Sequence, residues 1–150
     1  QSEINFYDMG MQLTRRFRAL KLYMSIKTFG LEAFAKAVTY NIQLAEETEK
    51  LLRESTQWEV VSSASLAVIN FRYNPISLGL SEKEIDKLNQ YIAFKVTESR
   101  EAILATTILN RQIVLRMCLI NPRTTMKDVK ETLTQCESFA GQKLKTEMSL

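Results

Sequence analysis

Histidine is missing altogether from the 150 residues. Its absence removes the side chain most used for proton transfer near neutral pH and the commonest metal ligand. A self-contained hydrolytic triad or zinc site is thereby excluded. The four glycines, Gly10, Gly30, Gly79 and Gly141, never cluster, so no glycine-rich loop can cradle a nucleotide phosphate. The two cysteines, Cys118 and Cys136, match neither a metal spacing nor a CxxC pair. Such sparse usage fits a reducing compartment. No stretch approaches the roughly 20 apolar residues of a membrane-spanning helix. The opening Gln1-Ser2-Glu3-Ile4-Asn5 lacks the layout of a secretion signal, and the expected location is the cytoplasm. A start on Gln1 rather than Met suggests a piece cut from a longer polypeptide. Charge of one sign is also scarce: 20 Lys and Arg against 17 Asp and Glu leave only +3, too little to announce a nucleic-acid or membrane partner.

What is present suffices for a folded domain. Hydrophobic residues at 45% and charged residues at 25% lie at the average of globular chains, and the length suits one domain. Residues 1–13 show no sustained period and read as an extended lead-in. A helix is expected from Thr14, so dense in Phe17, Leu20, Leu22, Tyr23, Met24, Ile26 and Phe29 that apolar groups fall on nearly every side. Such a helix must be buried or pressed against another body. Gly30 breaks it. A second helix follows, with Leu31, Phe34, Ala35, Val38, Ile42, Ala45 and Leu52 at helical spacing.

Two strands then read from Trp58 to Ser62 and from Leu66 to Tyr73, separated by the small residues Ser62 to Ser65 and ended by Pro75. Ser81 and Glu84 form a capping-box pattern before a helix reaching about Phe94, with Ile85, Leu88, Ile92 and Val96 on its apolar face. Residues 103–108 and 113–120 look like a hairpin turning at Asn110-Arg111-Gln112. Thr124 or Thr125 can cap a last helix carrying Val129, Leu133, Cys136, Phe139, Ala140 and Leu144. The expected class is α/β of the α+β kind, with helices covering a small, mostly antiparallel sheet.

Two places invite chemistry. Thr14-Arg15-Arg16-Phe17-Arg18 puts three guanidinium groups where a helix should start. Cations there oppose the positive end of the helix dipole. A phosphate or the acidic groups of another domain or subunit would compensate, and a solvated basic edge is the plainer reading. Arg116, among Val114, Leu115, Met117 and Cys118, either binds a carboxylate or simply faces outward by strand alternation. Cys118 and Cys136 read as buried apolar groups and the five tyrosines as packing groups. The expected site list therefore contains no catalytic residue and no metal ligand.

Leu13-Thr14-Arg15-Arg16-Phe17-Arg18-Ala19-Leu20-Lys21-Leu22-Tyr23, followed by Phe29-Gly30-Leu31, closely resembles the segment that opens the C-terminal domain of group II pyridoxal-phosphate-dependent amino-acid decarboxylases. The aromatic-L-amino-acid branch is the most similar. The resemblance continues through Phe71-Arg72-Tyr73-Asn74-Pro75, Val114-Leu115-Arg116-Met117-Cys118 and Asn121-Pro122-Arg123-Thr124-Thr125, and so spans most of the chain in order.

The resemblance implies that residues 14–150 are the small C-terminal lobe of an aspartate-aminotransferase-like, fold type I subunit whose large cofactor-binding domain is missing here. It implies pyridoxal 5'-phosphate as the cofactor of the complete enzyme and loss of carbon dioxide from an L-amino acid, aromatic by the branch resemblance. The partners it implies are the large domain, a homodimer subunit and an amino-acid substrate, with no nucleic acid or membrane. Thr14 matches a position that approaches the cofactor phosphate of the neighbouring subunit, where family members often carry Gly or Ser. Arg15, Arg16 and Arg18 would sit at an interface, and Arg116 would be structural or near the site. The family's Schiff-base lysine, its preceding histidine and the histidine over the cofactor ring belong to the large domain. With no histidine here, the isolated chain is expected to be inactive. A non-catalytic interaction module derived from the lobe is the alternative, and a nucleic-acid-binding reading rests on the three arginines alone.

Overall fold

The computed structural model describes residues 16–148. The expected lead-in 1–13, together with Thr14 and Arg15, lies outside these described residues. The chain falls into two compact units, one running through Lys36 and one starting at Ala37.

In the first unit, helix α1 spans Ala19–Phe29 and buries none of its side chains. Gly30 ends it at φ 80° and ψ 154°, donating its N–H to the Ile26 carbonyl at 2.8 Å. Positive φ of this kind costs little only for glycine. Helix α2, Leu31–Glu54, starts here with Lys36 paired to Glu32 at 2.8 Å and continues into the second unit.

In the second unit α2 buries Asn41, Leu44, Ala45, Thr48 and Leu52. This stripe is offset from the expected one: Val38 is 56% exposed, and two polar residues point inward. Each makes one side-chain hydrogen bond to a carbonyl, and Asn41 Oδ1 is left without a partner. The Asn41 amide donates to the Ile120 carbonyl at 3.0 Å, and the Thr48 hydroxyl donates to the Leu44 carbonyl at 2.7 Å.

Strand β1 is Trp58–Ser65 and β2 is Val68–Tyr73, a correction to the expected break at Ser62 to Ser65. Those small residues stay in the strand, with register shifts on either side of Ser62, whose hydroxyl accepts from the Asn70 amide at 2.8 Å. The turn falls on Leu66 and Ala67, both left-handed at φ 48° and 63°. That conformation matches the strand twist in two-residue hairpins, where Asn-Gly is the usual signal. Leu-Ala hides it.

A short 3₁₀ turn at Ile76–Leu78 leads to α3, Glu82–Ser99. The capping box forms as expected, and Ile85, Leu88, Ile92 and Val96 are all buried. The helix runs past Phe94 to a stop at Arg100, itself left-handed at φ 62°. Strands β3, Ala105–Leu109, and β4, Gln112–Cys118, turn on Asn110 and Arg111. Helix α4, Met126–Met148, begins where the Thr125 hydroxyl and the Asp128 carboxylate bond at 2.7 Å. That contact, with the Thr125 N–H, holds the Asp128 carboxyl below its usual range.

All three strand pairings are antiparallel, in the order β1-β2-β4-β3, leaving β1 and β3 at the edges. One sheet face carries Ile69 opposite Met117 and Phe71 opposite Leu115. These join Leu44 and Leu52 of α2, Leu88, Ile92 and Val96 of α3, and Val129, Leu133, Cys136 and Ala140 of α4 in one core. Burying each large side chain contributes about 1.5–3 kcal/mol. The expected small antiparallel sheet covered by helices is the observed architecture.

Leu66 is 79% exposed, so it gains little from burial to offset its left-handed backbone. Leu66→Asn is expected to raise the unfolding free energy by about 1 kcal/mol, since Asn tolerates this region. Chemical denaturation of the two proteins measures the difference, with an unchanged slope expected.

Candidate functional site

Three places carry polar groups that the core does not account for. The first is the start of α1. Arg18 occupies its N-cap position without a side-chain cap, and no acidic residue lies in the first turn. Arg16, Phe17, Arg18, Leu20 and Lys21 line a recess of about 690 Å³. Phe17 is 72% exposed, and Leu22, Tyr23, Met24 and Phe29 are each more than half exposed. Lys27 lies over the Tyr23 ring at 5.9 Å. The arrangement offers cations and uncovered apolar surface together, which suits a protein surface bearing acidic groups. Thr14, the expected cofactor contact, and Arg15 lie outside the described residues.

The second is the outward face of the sheet. Arg116 is exposed between buried Leu115 and Met117, so alternation rather than an ion pair accounts for it. In register it lies between Asn70 of β2 and Ala105 of β3. Cys118 follows on the same face and is exposed, which corrects the expectation that both cysteines are buried. Cys136 is buried, and desolvation pushes its thiol up to about 12. Tyr73 is a packing group as expected: its ring meets Trp58 edge-on at 5.0 Å, and burial, then the nearby Glu137 charge, raises its phenol.

The third escaped the sequence reading. Arg72 is wholly buried on β2, with its guanidinium 3.0 Å from both Glu82 and Asp86 of α3. The available signal was the pair of acids four residues apart at a helix start, following a strand arginine closed in by Phe71 and Tyr73.

No group of acidic or cysteine side chains among the described residues could hold a metal ion. No lysine is buried among the described residues. No described helix is long and apolar enough to cross a membrane.

Residues 2–74 match the family model described as the pyridoxal-dependent decarboxylase conserved domain. An aromatic-L-amino-acid decarboxylase from Bacillus atrophaeus is 40% identical over 142 residues, which is 95% of this chain and 29% of that protein. Along nearly its whole length the chain is similar to pyridoxal-dependent decarboxylases. A phenylacetaldehyde synthase from Arabidopsis thaliana is 32% identical over 85% of this chain and 26% of its own length. Among solved structures, an Oryza sativa TDC with PLP and tryptamine superposes at a TM-score of 0.80 and 23% identity, covering 92% of this chain and 29% of that one. The glutamate decarboxylase domain of a Vibrio parahaemolyticus protein does so at 0.75 and 24%, over 86% and 27%. These superpositions show the fold. The chain thus spans under a third of the length of each of these proteins.

The two thiols give a direct check. At pH 8 and without denaturant, a thiol reagent should modify Cys118 and spare Cys136, and both should react after unfolding. The Cys136 thiol is raised in the folded state, so the fold prefers it protonated. Its contribution to stability should be constant below the unfolded value near 9 and fall as pH rises from there towards about 12. Denaturation midpoints of the parent and Cys136→Ala across that range measure the slope.

Proposed function

We propose that this chain is the C-terminal portion of a pyridoxal-phosphate-dependent amino-acid decarboxylase, with residues 14–150 as its small lobe. The observation that carries the reading is the 40% identity, across nearly the whole chain, to a protein named as an aromatic-L-amino-acid decarboxylase. Within the complete enzyme the lobe supplies active-site closure and dimer surface. The substrate class is an L-amino acid, aromatic by the same similarity, and the location is the cytoplasm.

Pyridoxal phosphate supplies, when bound, the electron sink that lets an α-carboxylate leave as carbon dioxide. The resemblance assigns the lysine that bears the cofactor to the large domain. What this chain adds is surface. Helix α1 buries nothing of its own and is headed by Arg16 and Arg18. Apolar surface of that extent marks an interface, and its occupants are the large domain and the second subunit. Thr14 is assigned to the phosphate of the neighbouring subunit's cofactor, with its hydroxyl as donor.

Titration with pyridoxal phosphate, followed by absorbance, distinguishes the possibilities. The chain alone should give no band of lysine-bound cofactor. The longer polypeptide that contains the large domain should give one and release carbon dioxide from an aromatic amino acid. In that polypeptide Thr14→Ala should weaken cofactor binding about tenfold, the loss expected for one hydrogen bond to a charged group. A longer polypeptide that neither binds the cofactor nor releases carbon dioxide would leave the lobe as an interaction module only.

A further inference from the structure

Among the described residues Arg72 is the largest fully buried side chain, and its guanidinium faces a partial ring of three carboxylates, Glu59, Glu82 and Asp86. Nη1 donates to Glu82 Oε2 and Nη2 to Asp86 Oδ1, each at 3.0 Å. Both acids carry a second load at the start of β4. Asp86 Oδ1 also accepts the Ile113 backbone N–H at 2.9 Å, and Glu82 Oε2 accepts the Gln112 amide at 3.2 Å. Glu59 of β1 stands 4.0 Å from Nη1, and its carboxylate accepts the Asn74 amide at 2.9 Å. One cation therefore connects β2, the first turns of α3 and the first residues of β4.

Stability is a poor account of this ring. Desolvating a charge pair offsets most of its attraction, and apolar residues of similar size often do as well or better. Arg72 Nε, moreover, is buried without a partner, which costs further. What the ring supplies is position. The apolar stripe of α3, Ile85, Leu88, Ile92 and Val96, recurs at nearly every turn. A repeating stripe buries comparable area if the helix slides by one turn, about 5.4 Å. A guanidinium fork fits its two carboxylates in one place only. Buried Asn89 adds a second pin on the same helix, accepting the Tyr73 N–H at 2.8 Å and donating to the Tyr73 carbonyl at 3.0 Å.

We infer that Arg72 is a register lock: it fixes where α3 lies along the sheet and joins the beginning of α3 to the β3–β4 turn, rather than adding to global stability. The segment from Asn74 to Ser81, with Ile76 80% exposed at its tip, is held in place as a consequence.

Site-resolved hydrogen exchange on the full chain tests this. Arg72→Lys keeps the charge and removes the fork. The Ile113, Glu84 and Ile85 amides should then exchange at least about tenfold faster, while those of the β1–β2 ladder keep their parent rates, since local opening is separable from global unfolding. The neutral combination Arg72→Met, Glu82→Gln, Asp86→Asn should show the same local acceleration with a denaturation midpoint close to the parent. Glu82→Gln alone, at a largely exposed position, reads the same amides without threatening the fold and should accelerate them to a smaller degree. Acceleration spread evenly over all strands would make Arg72 a stability element and overturn the lock. Unchanged rates at Ile113, Glu84 and Ile85 in these variants would overturn it equally.

Discussion

One sheet face has to be dry. Ile69, Phe71, Leu115 and Met117 lie side by side across β2 and β4, and each is almost fully buried. Everything else in the second unit follows from covering them. The stripes of α2, α3 and α4 are what the sequence offers for that purpose, and their helical periodicity sets which residues reach the sheet. Single buried side chains contribute modestly, but a dozen or more in one continuous core oppose the entropy of ordering the chain.

How plainly each part could be read in the sequence tracks how local its cause is. Helices α3 and α4 were legible because cap and stripe agree: Ser81 with Glu84 ahead of Ile85, Leu88, Ile92 and Val96, and Thr124 or Thr125, of which the structure uses Thr125, ahead of Val129, Leu133, Cys136 and Ala140. The inward rotation of α2 was not legible. It depends on Asn41 finding the Ile120 carbonyl, 79 residues away in sequence. The Leu66-Ala67 turn was hidden for a different reason, since its residues carry none of the usual turn chemistry and the sheet imposes their left-handed backbone. Among the candidate site residues, Arg116 faces outward as strand alternation allowed, while the exposure of Cys118 was missed. Arg72 was missed because its signal, Glu82 and Asp86 four residues apart at a helix start, gains meaning only once those acids are placed in space.

The contrast between the two ends of the described chain bears on function. The second unit closes its own core. The first presents α1 with cations at one end and apolar groups along its length, and none of them buried. The relatives that the chain matches are three to four times longer than it is. The second unit has a core of its own, whereas α1 carries apolar surface that stays uncovered.

Strand β3 has a consequence of its own. It is a sheet edge made of Ala105, Thr106, Thr107, Ile108 and Leu109, with no charge and no proline to discourage another strand from pairing with it, and Ile108 is 70% exposed. Native edges of this composition are guarded chiefly by brevity. Five residues give a foreign backbone little to zip onto. An insertion that lengthened this strand would convert a harmless border into a template for aggregation.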